Sequence, residues 1–136
     1  MAETLKFEII TPQATISFED VTMVTLPVAE GQIGVYPLHV RLITQVMPGE
    51  IILNRGAEES FFAVGEGLVD IGPRHVAVVT DMAIPADRID EAKAEEARAR
   101  AQARLRDKIS DEEVASVNAS LVRSLAQLHV RRRRRT

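Results

Sequence analysis

The chain has 136 residues, no cysteine and a formal net charge of −3. One domain with a small appendage uses up that length; the lack of cysteine excludes disulfides, thiolate nucleophiles and cysteine-ligated zinc. Charge is unevenly spread: up to Ala86 four basic residues face eleven acids, net −7, and from Asp87 onward thirteen face nine, net +4, which points to two modules with different tasks.

Residues Met1 to Lys6 show no basic stretch followed by an apolar run, and nowhere do eighteen apolar residues follow one another. A soluble chain is expected, one that meets a membrane only through a partner. From Leu5 to Ile84, short β-branched stretches alternate with turn residues, the pattern of an all-β sandwich or flattened barrel of about ten short strands. Leu5, Phe7 and Ile9 alternate with Lys6 and Glu8; Val21, Met23-Val24 and Leu26 form the next clear strand, with Pro27 ending it. Strands follow at 42–47, 51–54, 60–64, 68–71 and 76–80, separated by Pro48-Gly49, Arg55-Gly56, Gly65-Glu66-Gly67 and Gly72-Pro73.

At Pro85 the composition changes to alanine mixed with charge, which divides the chain into residues 1–86 and a second module, 87–136. Asp87 is a candidate cap for a helix from about Arg88 to Arg106, where Ala, Glu, Arg and Lys dominate and neither glycine nor proline interrupts. Its apolar stripe, Ala94, Ala97, Ala101 and Leu105, is narrow. A turn at 107–110 leads to Ser110-Asp111-Glu112-Glu113, a capping box, and then to Val114, Val117, Leu121, Leu125 and Leu128 on one helical face. An antiparallel helical hairpin of marginal stability is expected, because small alanines facing one Val/Leu stripe bury only enough area for several kcal/mol at roughly 25 cal/mol per Å², much of it offset by ordering. The run Arg131 to Arg135 reads first as a solvated tail.

No constellation for catalysis stands out. His39, His75 and His129 are far apart and lack metal-ligand spacing, and no Gly-x-Ser-x-Gly elbow occurs. The glycines near position 30 are followed by neither a helix nor a Lys-Ser pair, so a phosphate cradle does not fit. No catalytic activity, metal or required cofactor is expected.

The stretch Glu30-Gly31-Gln32-Ile33-Gly34-Val35-Tyr36-Pro37-Leu38-His39 carries the most information. It resembles the E-G-x-[IL]-G-[IV]-[YL]-P-x-H segment of the epsilon subunits of bacterial and chloroplast F-type ATP synthases. The likeness continues through Arg41-Leu42-Ile43-Thr44, Pro48-Gly49-Glu50-Ile51, the segment from Val64 to Ile71, and Ile89-Asp90-Glu91-Ala92-Lys93-Ala94, so it covers nearly the whole chain. The resemblance implies a non-catalytic central-stalk subunit whose sandwich meets the gamma subunit and the c-ring, with Glu30, Gln32, His39 and Leu42 as contact residues. Gln32 stands where many members carry an acid, and Leu38, Val40 and Arg41 flank His39 where Gly, Ala and Pro are frequent. It further implies that the hairpin, when extended, inhibits ATP hydrolysis by engaging the alpha/beta catalytic hexamer through Leu121, Arg123, Leu125 and the basic residues Arg131, Arg132, Arg133, Arg134 and Arg135. The family's nucleotide motif, I/L-D-x-x-R-A, maps onto Ile89, Asp90, Lys93 and Ala94, with Arg100 and Arg123 as further basic residues, which implies ATP as a weak regulatory ligand; Lys93 replaces the motif's arginine, and Ile84 and Gln127 stand where ATP-binding members have an acid and a base. The implied location is peripheral, on the cytoplasmic face of the bacterial plasma membrane. The alternative from another class is a free-standing sandwich module whose arginine tail binds nucleic acid or an acidic partner; the acidic body and scarce aromatics argue against nucleic acid.

Overall fold

Strands that alternate in polarity need a second apolar face to cover them, and the computed structural model, which describes residues 3–134, shows two such faces packed together. The ten strands are β1 (Leu5–Ile10), β2 (Thr15–Val21), β3 (Met23–Val28), β4 (Gly31–Val35), β5 (Leu42–Val46), β6 (Gly49–Arg55), β7 (Glu58–Val64), β8 (Gly67–Ile71), β9 (His75–Thr80) and β10 (Ala83–Pro85). They form one sheet in the order β2-β1-β9-β8-β5 and another in the order β10-β7-β6-β3-β4. The pair β1/β9 is parallel and the other pairings are antiparallel. Leu5, Phe7, Ile9, Val69, Ile71, Val76 and Val78 from the first sheet meet Val24, Leu26, Ile51, Leu53, Phe62 and Val64 from the second in one core. Burying each such side chain contributes about 1.5–3 kcal/mol, less the entropy of ordering it. The β-sandwich followed by two helices matches the fold expected from the sequence.

Local departures have physical causes. Pro27 does not end β3: it pairs with Gln32 of β4, and its carbonyl accepts from Met47 N–H at 2.9 Å. Its nitrogen faces that same side, beyond the last β3/β6 pair at Thr25, so the missing N–H removes no ladder bond. The stretch 31–35, absent from the strands read along the sequence, is a strand; Gly31, at φ +124, supplies the turn into it. β2 is an edge strand in which Ile16 and Phe18 are only half-buried, and it carries a bulge opposite Lys6, with Asp20 at φ 57.

Pro85 closes β10 and a single 3-10 turn, Ala86–Arg88, follows. Ile89 then adopts an extended conformation and is buried, so helix α1 (Glu91–Leu105) starts later than expected, capped by Asp90 and not by Asp87. Asp90 accepts from Lys93 N–H at 3.1 Å, which satisfies one orphan donor of the first turn. Helix α2 (Asp111–Arg133) is capped by Ser110, which accepts from Glu113 N–H at 3.2 Å, as the capping box predicts. The arginines continue this helix to Arg133, with Arg134 as its C-cap, and are no solvated tail; four of their guanidinium contacts to carboxylates lie between 2.9 and 3.0 Å. Basic residues in the last turn also face the negative end of the helix dipole. Arg135 lies outside the described residues.

α2 packs in two directions at once. Val117, Leu121, Ser124, Leu128 and Arg132 recur at helical spacing toward α1, where Ala94 and Ala101 are buried. Arg123, Gln127, Val130 and Arg134, a second series, meet the sandwich through Asp81, Met82, the Ala63/Ala86/Ile89 cluster and Glu50. Leu125, expected on the buried stripe, belongs to neither series and is 44% exposed.

Candidate functional site

The chain from Tyr36 to Arg41 crosses from β4, the edge of the second sheet, to β5, the edge of the first. β3 and β5 touch, so both edges lie on one side of the sandwich. This crossing exposes Tyr36, Leu38, Val40 and Ile43, with Val40 and Ile43 at 75% and 70%. Ile43 alternates outward on β5; Leu68 and Val79, cross-strand partners on β8 and β9, extend the apolar surface across the outer face of the first sheet. Scattered exposed apolar residues are ordinary, whereas several gathered on the crossing and the strands beside it make a candidate docking surface, one interrupted by Asp70 opposite Ile43 and Gln45 opposite Leu68.

Leu38 is the unusual member. It holds φ 68, the left-handed region that a bulky side chain avoids, and its N–H donates to Pro73 O at 2.7 Å. Strain of this kind persists only where the surroundings over-determine it, and it gathers at functional segments. Of the contact residues read from the sequence, Glu30 is exposed in the β3–β4 turn, Gln32 is exposed on β4, and Leu42 is 41% exposed on β5 opposite Ile71. His39, half-buried, donates its Nδ1–H to Val40 O at 2.6 Å. They span the two sheet edges of one side, and the exposed apolar residues between them, Tyr36, Leu38 and Val40, are ones that the resemblance did not mark as contacts.

The hairpin holds the second set. Ile89 and Ala94 are buried, and the Asp90 carboxylate serves as the α1 cap. Lys93 is exposed; Arg100 lines a shallow cleft between the helices with Ala97, Arg104 and Ser120. Arg123 instead turns to the sandwich and pairs with Asp81 at 3.2 Å. Of the residues assigned to docking by the extended hairpin, Leu121 is half-buried toward α1 and Leu125 points outward beside Pro27, Gln32 and Pro48. Arg132 binds Glu91 and Glu95, each at 2.9 Å. These carboxylates hold the Arg132 guanidinium above its ordinary pKa, Glu91 contributing most. Glu95 lies below the usual carboxylate range, held there first by its hydrogen bond from Arg98 and then by Arg132. Arg134 and Arg133 both reach Glu50, whose side chain is 2% exposed. Glu50 and Asp81 gave no signal in the sequence, because Glu50 and Arg134 are 84 positions apart.

Among the described residues no group of three or more His, Asp or Glu stands close enough to hold a metal ion, and no helix is long and apolar enough to cross a membrane. Fold and surface together define a class: a β-sandwich with apolar residues exposed along one side and a helical arm folded against another. Two family models account for nearly all of the chain, the ATP synthase Delta/Epsilon chain β-sandwich domain over residues 4–86 and its long α-helix domain over residues 87–131. The chain is similar to the ATP synthase epsilon chain of Herpetosiphon aurantiacus, at 34% identity covering 96% of both chains. That of Halorhodospira halophila is 39% identical, covering 92% of this chain and 90% of its own. A chain in the mitochondrial ATP synthase of Euglena gracilis shares the fold at TM-score 0.77 and 19% identity, over 95% of this chain and 81% of that one. The chain belongs to the ATP synthase delta/epsilon family.

Proposed function

We propose that this chain works as a non-catalytic epsilon subunit in the central stalk of an F-type ATP synthase, on the cytoplasmic face of a bacterial membrane, with its sandwich bound to the gamma subunit and the c-ring. The observation that carries the docking half is the apolar crossing around Leu38, Val40 and Ile43, next to Glu30, Gln32, His39 and Leu42. A part that transmits torque needs a rigid body with an adhesive side, and the densely buried core under β5 and β8 supplies the rigidity. In the full-length chain, Ile43→Asp places a charge on that side without touching the core. It abolishes a stoichiometric complex with gamma in size-exclusion chromatography, and an unchanged complex would refute this surface.

The hairpin is the regulatory half. Folded down it permits rotation; extended, it inserts Leu121, Arg123, Leu125 and the arginines against gamma and the alpha/beta hexamer and blocks ATP hydrolysis. What supports this is that Val130 alone among the α2 residues facing the sandwich is fully buried, and that the ion pairs beside it, Arg123 with Asp81 and Arg134 with Glu50, can be exchanged for pairs with a partner. Removing residues 87–136 from the assembled complex raises its ATPase rate while leaving assembly intact; an unchanged rate removes the inhibitory role. ATP is included as a weak ligand of the closed hairpin at Asp90, Lys93, Arg100 and Arg123. Weakness follows from geometry: Asp90 already caps α1 and Arg123 must leave Asp81 to reach a phosphate. A ligand bound only by the closed form adds about 2.7 kcal/mol to it at 100 times the dissociation constant.

A further inference from the structure

We propose that Glu50 and Phe61 form a guanidinium-binding site on the sandwich, that Arg134 is its built-in ligand, and that this one arginine latches the hairpin closed. The site comes from two neighbouring strands. Glu50 follows the Pro48-Gly49 turn at the start of β6, and Phe61 lies on β7 opposite Ile52. Arg134 donates its Nε–H and an Nη2–H to the two oxygens of Glu50 at 3.0 and 2.9 Å. Its guanidinium carbon stands 3.8 Å from the centroid of the Phe61 ring. A fork on a carboxylate, with the planar face of the cation on an aromatic ring, is a geometry that only arginine satisfies; lysine is a point charge without a fork.

Burial separates this contact from its neighbours. The Glu50 side chain is 2% exposed and that of Arg134 24%, whereas Arg133, reaching Glu50 at 3.4 Å, is 49% exposed. Arg132 bonds within the hairpin, to Glu91 and Glu95 of α1, so it does nothing to hold the hairpin on the sandwich. Within the arginine run the cross-module work therefore falls mainly on Arg134, and the other ion pair between α2 and the sandwich, Arg123 with Asp81, is more exposed, at 37% and 45%. Its position is favourable for it: as the C-cap of α2 it sits one turn past Val130, the fully buried contact with Ala63, Ala86 and Ile89. Lifting α2 opens both together. The arginine run is thus an anchor for the closed state, with one member specific and the others supporting.

The regulatory meaning of the latch rests on the reading of the hairpin as a movable arm, but the latch itself is tested on the isolated full-length chain. The chain contains no cysteine, so Val130→Cys introduces a single thiol beneath α2 whose labelling rate by an aromatic disulfide reports opening of the hairpin, and Val78→Cys, made separately, reports opening of the sandwich. Arg134→Ala is expected to speed labelling in the Val130→Cys background by about tenfold or more, with the Val78→Cys rate unchanged. Arg134→Lys does the same as alanine, and Arg133→Ala accelerates labelling less than about threefold. Glu50→Gln combined with Arg134→Ala labels no faster than the faster single variant. Equal effects of Arg133→Ala and Arg134→Ala, full protection retained by Arg134→Lys, or no acceleration at all would overturn the proposal. Intact latch behaviour beside an ATPase rate that ignores hairpin deletion supports the latch and removes only the inhibitory role.

Discussion

Leu38 offers a direct test of the strained crossing, through the comparison of Leu38→Gly with Leu38→Ala. At φ 68 an L-residue gives up about 1–2 kcal/mol that glycine does not. Glycine in turn loses about 0.5–1 kcal/mol more backbone entropy on folding than alanine. The balance favours glycine over alanine by roughly 0.5–1 kcal/mol at this position, the reverse of the order in an ordinary strand or helix. Leucine is 59% exposed here, so either variant also forfeits about two-fifths of a leucine's burial, roughly 1 kcal/mol. Leu38→Gly should therefore match the parent chain within about 1 kcal/mol, and Leu38→Ala should fall about 1 kcal/mol below it. For a chain of this length 1 kcal/mol shifts the melting temperature by about 3–5 °C, well within reach of thermal denaturation followed by circular dichroism. Both variants lose the same apolar side chain and should weaken gamma binding alike, which separates stability from docking. A melting temperature for Leu38→Ala at or above that of Leu38→Gly would refute the claim that the backbone here is strained.

Two further outcomes concern the hairpin. Asp90→Ala removes the α1 cap and should cost about 1 kcal/mol, seen as a lower melting midpoint of the helical signal at 222 nm, by convention the helix band, with Asp87→Ala leaving it unchanged; equal shifts would reassign the cap. Because Glu95 is held below its ordinary value of 4.5 by Arg98 and Arg132, its contribution is complete above that value and is lost as pH falls through the lowered one. Helix melting should therefore be insensitive to this group near neutral pH and weaken as pH falls below 4.5, with Arg132→Ala reducing the acid sensitivity. An acid response that is the same with and without Arg132 would contradict the pairing.

The elements that could be read from the sequence were those whose burial repeats at a fixed period. Leu5, Phe7 and Ile9 alternate because one side of β1 faces the core, and Ser110 announced α2 through its capping box. Where burial is partial or comes from two sides the period fails. β2, an edge strand with half-buried Ile16 and Phe18, left little alternation. α2 meets α1 on one series of residues and the sandwich on another, so a single Val/Leu stripe captured Leu128 but misplaced Leu125. β4 was hidden by its own glycines, needed for the turn at Gly31 and indifferent to strand propensity. The strain at Leu38 had one visible sign, a leucine at a place where the resembling family often has glycine. Glu50 had none, since a carboxylate at the head of a strand looks solvated until a helix from the far end of the chain lies over it.

The charge asymmetry gains a meaning once the two modules are in contact. An acidic sandwich and a basic hairpin attract, and their junction is where Asp81 meets Arg123 and Glu50 meets Arg134. An exposed pair such as Asp81 with Arg123 is screened over a Debye length of about 8 Å at physiological salt, so bulk attraction alone cannot hold the arm. A desolvated pair such as Arg134 with Glu50 is less affected, and it confers position as well as affinity. The same arginines cannot serve Glu50 and an acidic partner surface simultaneously. Any partner that binds them lowers the population of the closed hairpin, and by linkage the closed latch weakens that partner's affinity by the same factor. Arg134→Ala should accordingly shift the arm toward the extended state while removing one contact from it, whereas Glu50→Gln opens the latch and leaves every arginine available. In the assembled complex the Glu50 variant should inhibit ATP hydrolysis more strongly than the Arg134 variant, and the reverse order would place the arginines' main role in the closed state alone.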